Sequence, residues 1–206
     1  MQEHLSLTCF SPYGFAANTY RITSPAGTII IDPASEEIFS LPPSPQPLSI
    51  IVTHGHYDHI LLANDYHNRF SAPLYAHPLE NALLLDPALN LSLYFDTPFA
   101  YQHTIVPLEE GKLPIPGFTA EVCHLPGHSP GSVGIFFPEQ KWLFSGDVIF
   151  DSSIGRTDLP GGDEATLWNS IERLLQLPDD TVVYPGHGES FFLSSFRNMI
   201  SHWKHL

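Results

Sequence analysis

Short apolar runs rich in β-branched and aromatic residues recur along the 206-residue chain, and turn residues separate them. Runs of this kind predict β-strands. Eight of them are clear, at residues 5–10, 17–23, 28–31, 48–53, 118–124, 133–137, 142–144 and 181–184. Strands are therefore expected in both halves of the chain.

Apolar positions spaced three and four residues apart predict helices between and after these strands. The spacing is present at residues 60–70, 79–85, 165–175 and 192–203. Asp163 is a suitable N-cap for the third helix. The proline-rich run 42–47 predicts a loop, and residues 87–107 give no clear prediction. This order of elements favours helices that cover two packed sheets.

Composition and charge restrict the class of protein. Hydrophobic residues make up 43% of the chain and charged residues 15%, which is enough apolar material for a sizeable core. The formal charge of −14 argues against nucleic-acid and membrane partners, because both select basic surfaces. No apolar run approaches the ~20 residues of a membrane span, and the N-terminus does not resemble a signal peptide. Cys9 and Cys123 form no CxxC pair, which indicates free thiols in the cytoplasm.

Histidine is abundant, with 12 in the chain, and a group of histidines follows the apolar run 48–53. The sequence there is His54-Gly55-His56-Tyr57-Asp58-His59. At this spacing His54 and His56 can face one metal ion, while Asp58 and His59 face a neighbouring point. Imidazole and carboxylate ligands suit zinc, iron and manganese. The alternative is a histidine-rich surface turn.

Three further candidates each lie beside glycine near the end of a predicted strand. They are His128 in Pro-Gly-His-Ser-Pro-Gly-Ser, Asp147 in Ser-Gly-Asp, and His187 in Pro-Gly-His-Gly. Glycine permits the tight turns that aim a ligand inward from a loop. Each residue alone could instead be a turn or capping residue. Together with the histidine group they predict a metal site.

These four motifs resemble those of the metallo-β-lactamase-fold hydrolases. Asn-Thr-Tyr at 18–20 and Ile-Asp-Pro at 31–33 match early motifs of that family, and the resemblance covers about residues 14–190. Residues 153–163 are similar to a loop of its compact glyoxalase II-like (hydroxyacylglutathione hydrolase-like) members. The resemblance implies an α/β fold, a four-layer αβ/βα sandwich. It also implies one such domain over residues 1–206, without an added C-terminal helical domain.

The resemblance further implies two divalent metal ions ~3.5–4 Å apart that hold a hydroxide between them. Zinc is expected, with iron and manganese as alternatives. The implied ligands are His54, His56 and His128 on the first ion, Asp58, His59 and His187 on the second, and Asp147 on both. Asp58 would also orient the nucleophile and accept its proton. Asp32 would fix the tautomer of a ligand histidine. Arg156 either pairs with Asp158 or contacts the substrate.

The expected reaction is hydrolysis of a small-molecule thioester of the S-2-hydroxyacylglutathione type. Glu189 stands where glyoxalase II has tyrosine, and the chain ends about 19 residues beyond His187. These departures concern glutathione recognition more than hydrolysis. One alternative is a mononuclear iron persulfide dioxygenase, although Leu-Pro-Gly-Gly at 159–162 favours the hydrolase. A second alternative is a non-catalytic metal-binding module. The metal used in the cell, the acyl group, the thiol carrier and the oligomeric state stay open.

Overall fold

The computed structural model describes residues 4–11, 14–40 and 47–203. Except for Pro47, the predicted loop 42–47 lies outside these residues. The chain divides into two compact units. The first comprises Met1–Glu109 and Leu113–Phe118, and the second comprises Glu110–Lys112 and Thr119–Leu206. The prediction of one domain over residues 1–206 stays a prediction.

The first unit is built on a six-stranded sheet whose strands follow one another in chain order. They are β1 (Ser6–Phe10), β2 (Thr19–Ser24), β3 (Gly27–Ile31), β4 (Leu48–Ile51), β5 (Leu74–Ala76) and β6 (Ile105–Pro107). The first three strands are antiparallel, whereas β3 to β6 run parallel. Every residue of β3 and β4 is buried. Such continuous burial is typical of parallel strands that are covered on both faces.

The described residues of the first unit form three α-helices, namely α1 (Tyr57–Ile60), α2 (Ala63–Phe70) and α3 (Asn81–Leu85). Ala63 and Tyr66 of α2 lie in one apolar core with Ile50 and Leu74 of the sheet. The predicted helix 60–70 is wrong as a continuous helix, because the helix is interrupted at Leu61 and Leu62, between α1 and α2. The backbone N–H of Leu62 donates to the carbonyl of Pro33 at 2.9 Å, so a tertiary hydrogen bond replaces a helical one.

The second unit holds the other six-stranded sheet, in the order β12-β11-β10-β9-β8-β7. Its strands are β7 (Gly111–Lys112), β8 (Glu121–His124), β9 (Val133–Phe137), β10 (Trp142–Gly146), β11 (Val182–Pro185) and β12 (Phe191–Phe192). Only the β10–β11 pair is parallel among these neighbours. The helices α4 (Glu164–Leu174) and α5 (Leu193–Trp203) contribute Ile171 and Phe196 to the core around Leu143.

Helix α4 begins where the sequence predicts. The Asp163 carboxylate accepts a hydrogen bond from the backbone N–H of Thr166 at 2.7 Å, which is an N-cap. A hydrogen bond from the Thr166 side chain, together with this backbone one, lowers the pKa of Asp163. Leu167, Ile171 and Leu174 are buried along one face. The helix predicted at 165–175 and its cap are therefore confirmed.

All eight predicted strand runs contain a strand, but β5, β6, β7 and β12 were not predicted. Each of these four strands has only two or three residues, too few for a pattern of alternation. Phe192 belongs to β12 and not to the final helix, and its side chain is exposed. Within the described part of the chain, no helix is both long and apolar enough to cross a membrane.

Candidate metal centre

The first unit presents four of the predicted ligands just after β4, with His54 and His56 in the turn before α1 and Asp58 and His59 within α1. His54, His56 and His59 are buried, and the Asp58 side chain is one-quarter exposed. The ring of His54 lies 4.7 Å from that of His56 and 4.0 Å from that of His59, centre to centre. Asp58 Oδ2 lies 3.9 Å from His59 Nε2. The four side chains therefore converge within this unit, as a metal-binding turn requires.

Asp32 lies directly after β3 and reaches this turn from the neighbouring strand. Its buried carboxylate accepts hydrogen bonds from the backbone N–H of Thr53 at 2.8 Å and from the Thr53 hydroxyl at 2.7 Å. His59 Nδ1 lies 2.8 Å from Asp32 Oδ2. Because a carboxylate can only accept, the proton of His59 is on Nδ1, and Nε2 is the nitrogen that can bind a metal.

The second unit presents the other three predicted ligands, each after a strand. His128 follows β8, Asp147 follows β10 and His187 follows β11. Asp147 Oδ2 lies 3.8 Å from His128 Nε2 and 3.7 Å from His187 Nε2. These distances are too long for hydrogen bonds. Two ligand atoms on one tetrahedral zinc ion are roughly 3.4 Å apart, so the spacing suits shared metal ions. The donor types and their separation therefore fit divalent metals.

A loop of the second unit packs directly on two of these ligands. The backbone carbonyl of Arg156 lies 2.8 Å from His128 Nδ1 and holds a proton there, which leaves Nε2 as the metal-binding nitrogen. A Cβ at Gly155 would overlap the backbone carbonyl oxygen of Asp147. Only glycine therefore allows the loop to lie this close. The role of the Arg156 carbonyl was not predicted, and no side-chain pattern could reveal a contact made by the backbone.

The side chain of Arg156 forms the ion pair that the sequence left open. Its Nε and Nη2 atoms donate to the two carboxylate oxygens of Asp158, both at 2.7 Å, and the two side chains are 61% and 68% exposed. The pair raises the pKa of Arg156 and lowers the pKa of Asp158 to about 2. The contact with a substrate stays a prediction.

Glu80 was not predicted from the sequence. It is a buried carboxylate beside the four candidate ligands of the first unit. Its Oε2 accepts a hydrogen bond from the backbone N–H of Gly55 at 2.6 Å. Gly55 separates His54 from His56 in the chain. The available signal was an acidic residue four positions after a strand, but that strand, β5, was itself not predicted.

Comparison with known proteins identifies the family. The family model described as the Metallo-beta-lactamase superfamily matches residues 12–187. The chain is 37% identical over 182 residues to "Probable metallo-hydrolase YqgX" of Bacillus subtilis (strain 168), which covers 84% of this chain and 85% of that protein. It is also 37% identical over 143 residues to "Hydroxyacylglutathione hydrolase GloC" of Haemophilus influenzae, covering 68% of each.

Solved structures agree. The BLEG-1 B3 metallo-beta-lactamase superposes with a TM-score of 0.85 at 35% identity, covering 94% of this chain and 97% of that one. TTHA1623, solved in a di-iron-bound form, gives a TM-score of 0.84 at 34% identity and covers 93% and 98%. These matches confirm the α/β sandwich expected from the motifs. The chain belongs to the metallo-beta-lactamase superfamily, and its relatives include proteins named as metallo-hydrolases.

Proposed function

We propose that this protein is a metal-dependent hydrolase of thioesters, with an S-2-hydroxyacylglutathione as substrate. The observation that carries the proposal is the set of seven imidazole and carboxylate ligands at strand ends, four in the first unit and three in the second. We assign His54, His56 and His128 to one divalent ion, Asp58, His59 and His187 to another, and Asp147 to both. Zinc is the proposed metal, with iron and manganese as alternatives.

Divalent ions held by such ligands lower the pKa of a coordinated water toward 7 and polarise a substrate carbonyl. The protein supplies orientation and proton transfer. Asp58 is the proposed residue that orients the attacking water and accepts its proton. Its backbone carbonyl accepts a hydrogen bond from Ala17 N–H at 3.0 Å, which fixes the start of α1. Asp32 and the Arg156 carbonyl hold His59 and His128 in the tautomers that leave Nε2 for a metal.

Two findings favour a thioester. A relative with 37% identity carries the name hydroxyacylglutathione hydrolase. The loop 153–163, whose backbone contacts His128, is similar in sequence to that of glyoxalase II-like enzymes. Arg156 is the proposed contact for a carboxylate or carbonyl of the substrate, which requires that its guanidinium exchange Asp158 for the substrate.

Metal analysis combined with hydrolysis of S-lactoylglutathione tests the proposal. We expect about two divalent ions per chain in the active protein. His54→Ala and Asp147→Asn should lose metal together with nearly all turnover, whereas the exposed Glu37→Gln should keep both. Full activity with unchanged metal content in either ligand variant would contradict the site.

The substrate class is tested separately from the metal. A β-lactam substrate and a persulfide with oxygen-uptake detection serve as comparison assays. One iron per chain with persulfide-dependent oxygen consumption, or turnover of the β-lactam alone, would contradict thioester hydrolysis. A metal-loaded protein that is inactive on all three substrates would instead favour a metal-binding module.

A further inference from the structure

Two buried carboxylates contact the ligand turn of the first unit from neighbouring strands. The turn follows β4, Asp32 follows β3, and Glu80 lies in the turn after β5. These three strands are parallel, so their carboxyl ends lie at one edge of the sheet. Asp32 contacts Thr53 and His59. Glu80 contacts the part of the turn that Asp32 does not reach.

The contact of Glu80 is with the peptide between two ligands. Its Oε2 accepts from Gly55 N–H at 2.6 Å, and Glu80 is fully buried. A Cβ on Gly55 would lie 2.6 Å from Leu83 Cβ and 3.2 Å from Glu80 Oε2. The turn therefore lies against α3 with no space for a side chain, and its backbone orientation is set by this contact.

Glu80 is itself held in place by a short 3₁₀ turn. The turn Pro78–Glu80 begins after His77, and Glu80 N–H donates to the His77 carbonyl at 2.9 Å. Proline at the first position restricts the backbone of this turn. The carboxylate therefore projects from a rigid segment, as a residue that orients metal ligands requires.

We propose that Glu80 is a positioning residue for the metal ligands. By accepting the Gly55 N–H, it holds the His54–Gly55 peptide in the link between His54 and His56, so that both imidazoles can face one ion. This inference rests on the metal site of the proposed function but not on its substrate. Losing a supporting contact of this kind costs about 10–100-fold in metal affinity.

Two conservative variants separate position from charge. Glu80→Asp keeps the carboxylate but is one methylene too short to reach Gly55, whereas Glu80→Gln keeps a carbonyl oxygen at the same reach without the charge. We expect Glu80→Asp to weaken zinc binding about 10–100-fold. Glu80→Gln should stay within about threefold of the wild type, because its oxygen still accepts the hydrogen bond. Glu37→Asp and Glu37→Gln, at an exposed position, are the matched controls.

Zinc affinity is measured by competition with a chromophoric chelator, and the ligand geometry by the visible absorption of the cobalt(II)-loaded protein. Glu80→Asp should alter the cobalt spectrum, whereas Glu80→Gln should have the spectrum of the wild type. Weak binding in Glu80→Gln with normal binding in Glu80→Asp would show that charge is what matters, which overturns positioning. Unchanged binding in both variants, or equal weakening with an unchanged cobalt spectrum, overturns it as well.

A measurement on the wild type keeps the inference testable even if Glu80→Asp does not fold. The Gly55 amide should exchange its hydrogen slowly in the metal-free protein, because it is bonded to a buried carboxylate. Exchange as fast as in an exposed loop would overturn the inference. A wild type that binds no metal would refute the proposed function, whereas metal binding without thioester hydrolysis would refute only its substrate.

Discussion

Replacing Asp32 with asparagine removes one hydrogen-bond acceptor from the first ligand turn while sparing the backbone. Asp32 has a φ of 53°, in the left-handed region that asparagine tolerates well. The amide oxygen of Asn can still accept from Thr53 N–H. The amide nitrogen then takes the place of Oδ2 beside His59 Nδ1. Two donors would oppose each other there unless the proton of His59 moves to Nε2.

The two consequences differ in size. For the metal-free protein we expect a loss of about 1–2 kcal/mol in the free energy of unfolding, because a hydrogen bond to a charged partner becomes a neutral one. Metal binding should suffer more, since a proton on Nε2 of His59 blocks that ligand. Loss of the partner that fixes a ligand histidine costs about 10–100-fold in affinity.

Chelator competition measures the affinity, and urea unfolding of the metal-free protein measures the stability. Asp96→Asn is a matched control, because Asp96 has the same φ of 53° but is exposed on the surface. It should leave both quantities unchanged. Wild-type metal affinity in Asp32→Asn, with an unchanged urea midpoint, would show that the Asp32 contact does not set the tautomer of His59.

Three other changes test the second unit. Gly155→Ala should lose metal, because the new Cβ would overlap the Asp147 carbonyl. The metal content of the purified variant measures this loss. A normal metal content would contradict the close packing of the Gly155 loop on Asp147. Asp163→Ala should lower the melting temperature at pH 7. Its effect should shrink as the pH falls below about 4, because the pKa of Asp163 is lowered in the folded protein. The cap stabilises the folded state while the carboxylate is ionised, and this stabilisation is lost once the carboxylate takes up a proton. Equal losses at pH 7 and pH 3 would argue against the charged cap. Arg156→Gln should keep its metal, since its carbonyl contacts His128, but raise the KM for S-lactoylglutathione about tenfold. Loss of metal with an unchanged KM would reverse that division of roles.

The candidate ligands could be found from sequence because their signal is local. Six consecutive residues contain four of them, and the turn after β4 together with the start of α1 makes them converge. His128 and His187 are flanked by glycine in short turns, which mark ligand positions even without their partners. Such local signals do not show which atom of a distant segment holds each candidate ligand in place.

The supporting contacts show this limit. The sequence draws attention to the guanidinium of Arg156, yet its backbone carbonyl contacts His128, and every residue type has such a carbonyl. Glu80 was missed because β5 has only three residues. The break at Leu62 was missed for a related reason: apolar spacing continues through it, and spacing does not reveal the tertiary hydrogen bond from Leu62 N–H to the Pro33 carbonyl.

Sheet topology explains why the buried carboxylates lie where they do. In a parallel sheet the residues after successive strands meet at one edge, so Asp32 and Glu80 contact the turn after β4 from β3 and β5. Neither carboxylate needs to be near the turn in sequence. The register of three strands thus determines the orientation of the ligand turn. Two side chains, Asp32 and Glu80, connect the rigid sheet to the segment that carries the three histidines. The orientation of the candidate ligands in this unit therefore depends on strands that contain none of them.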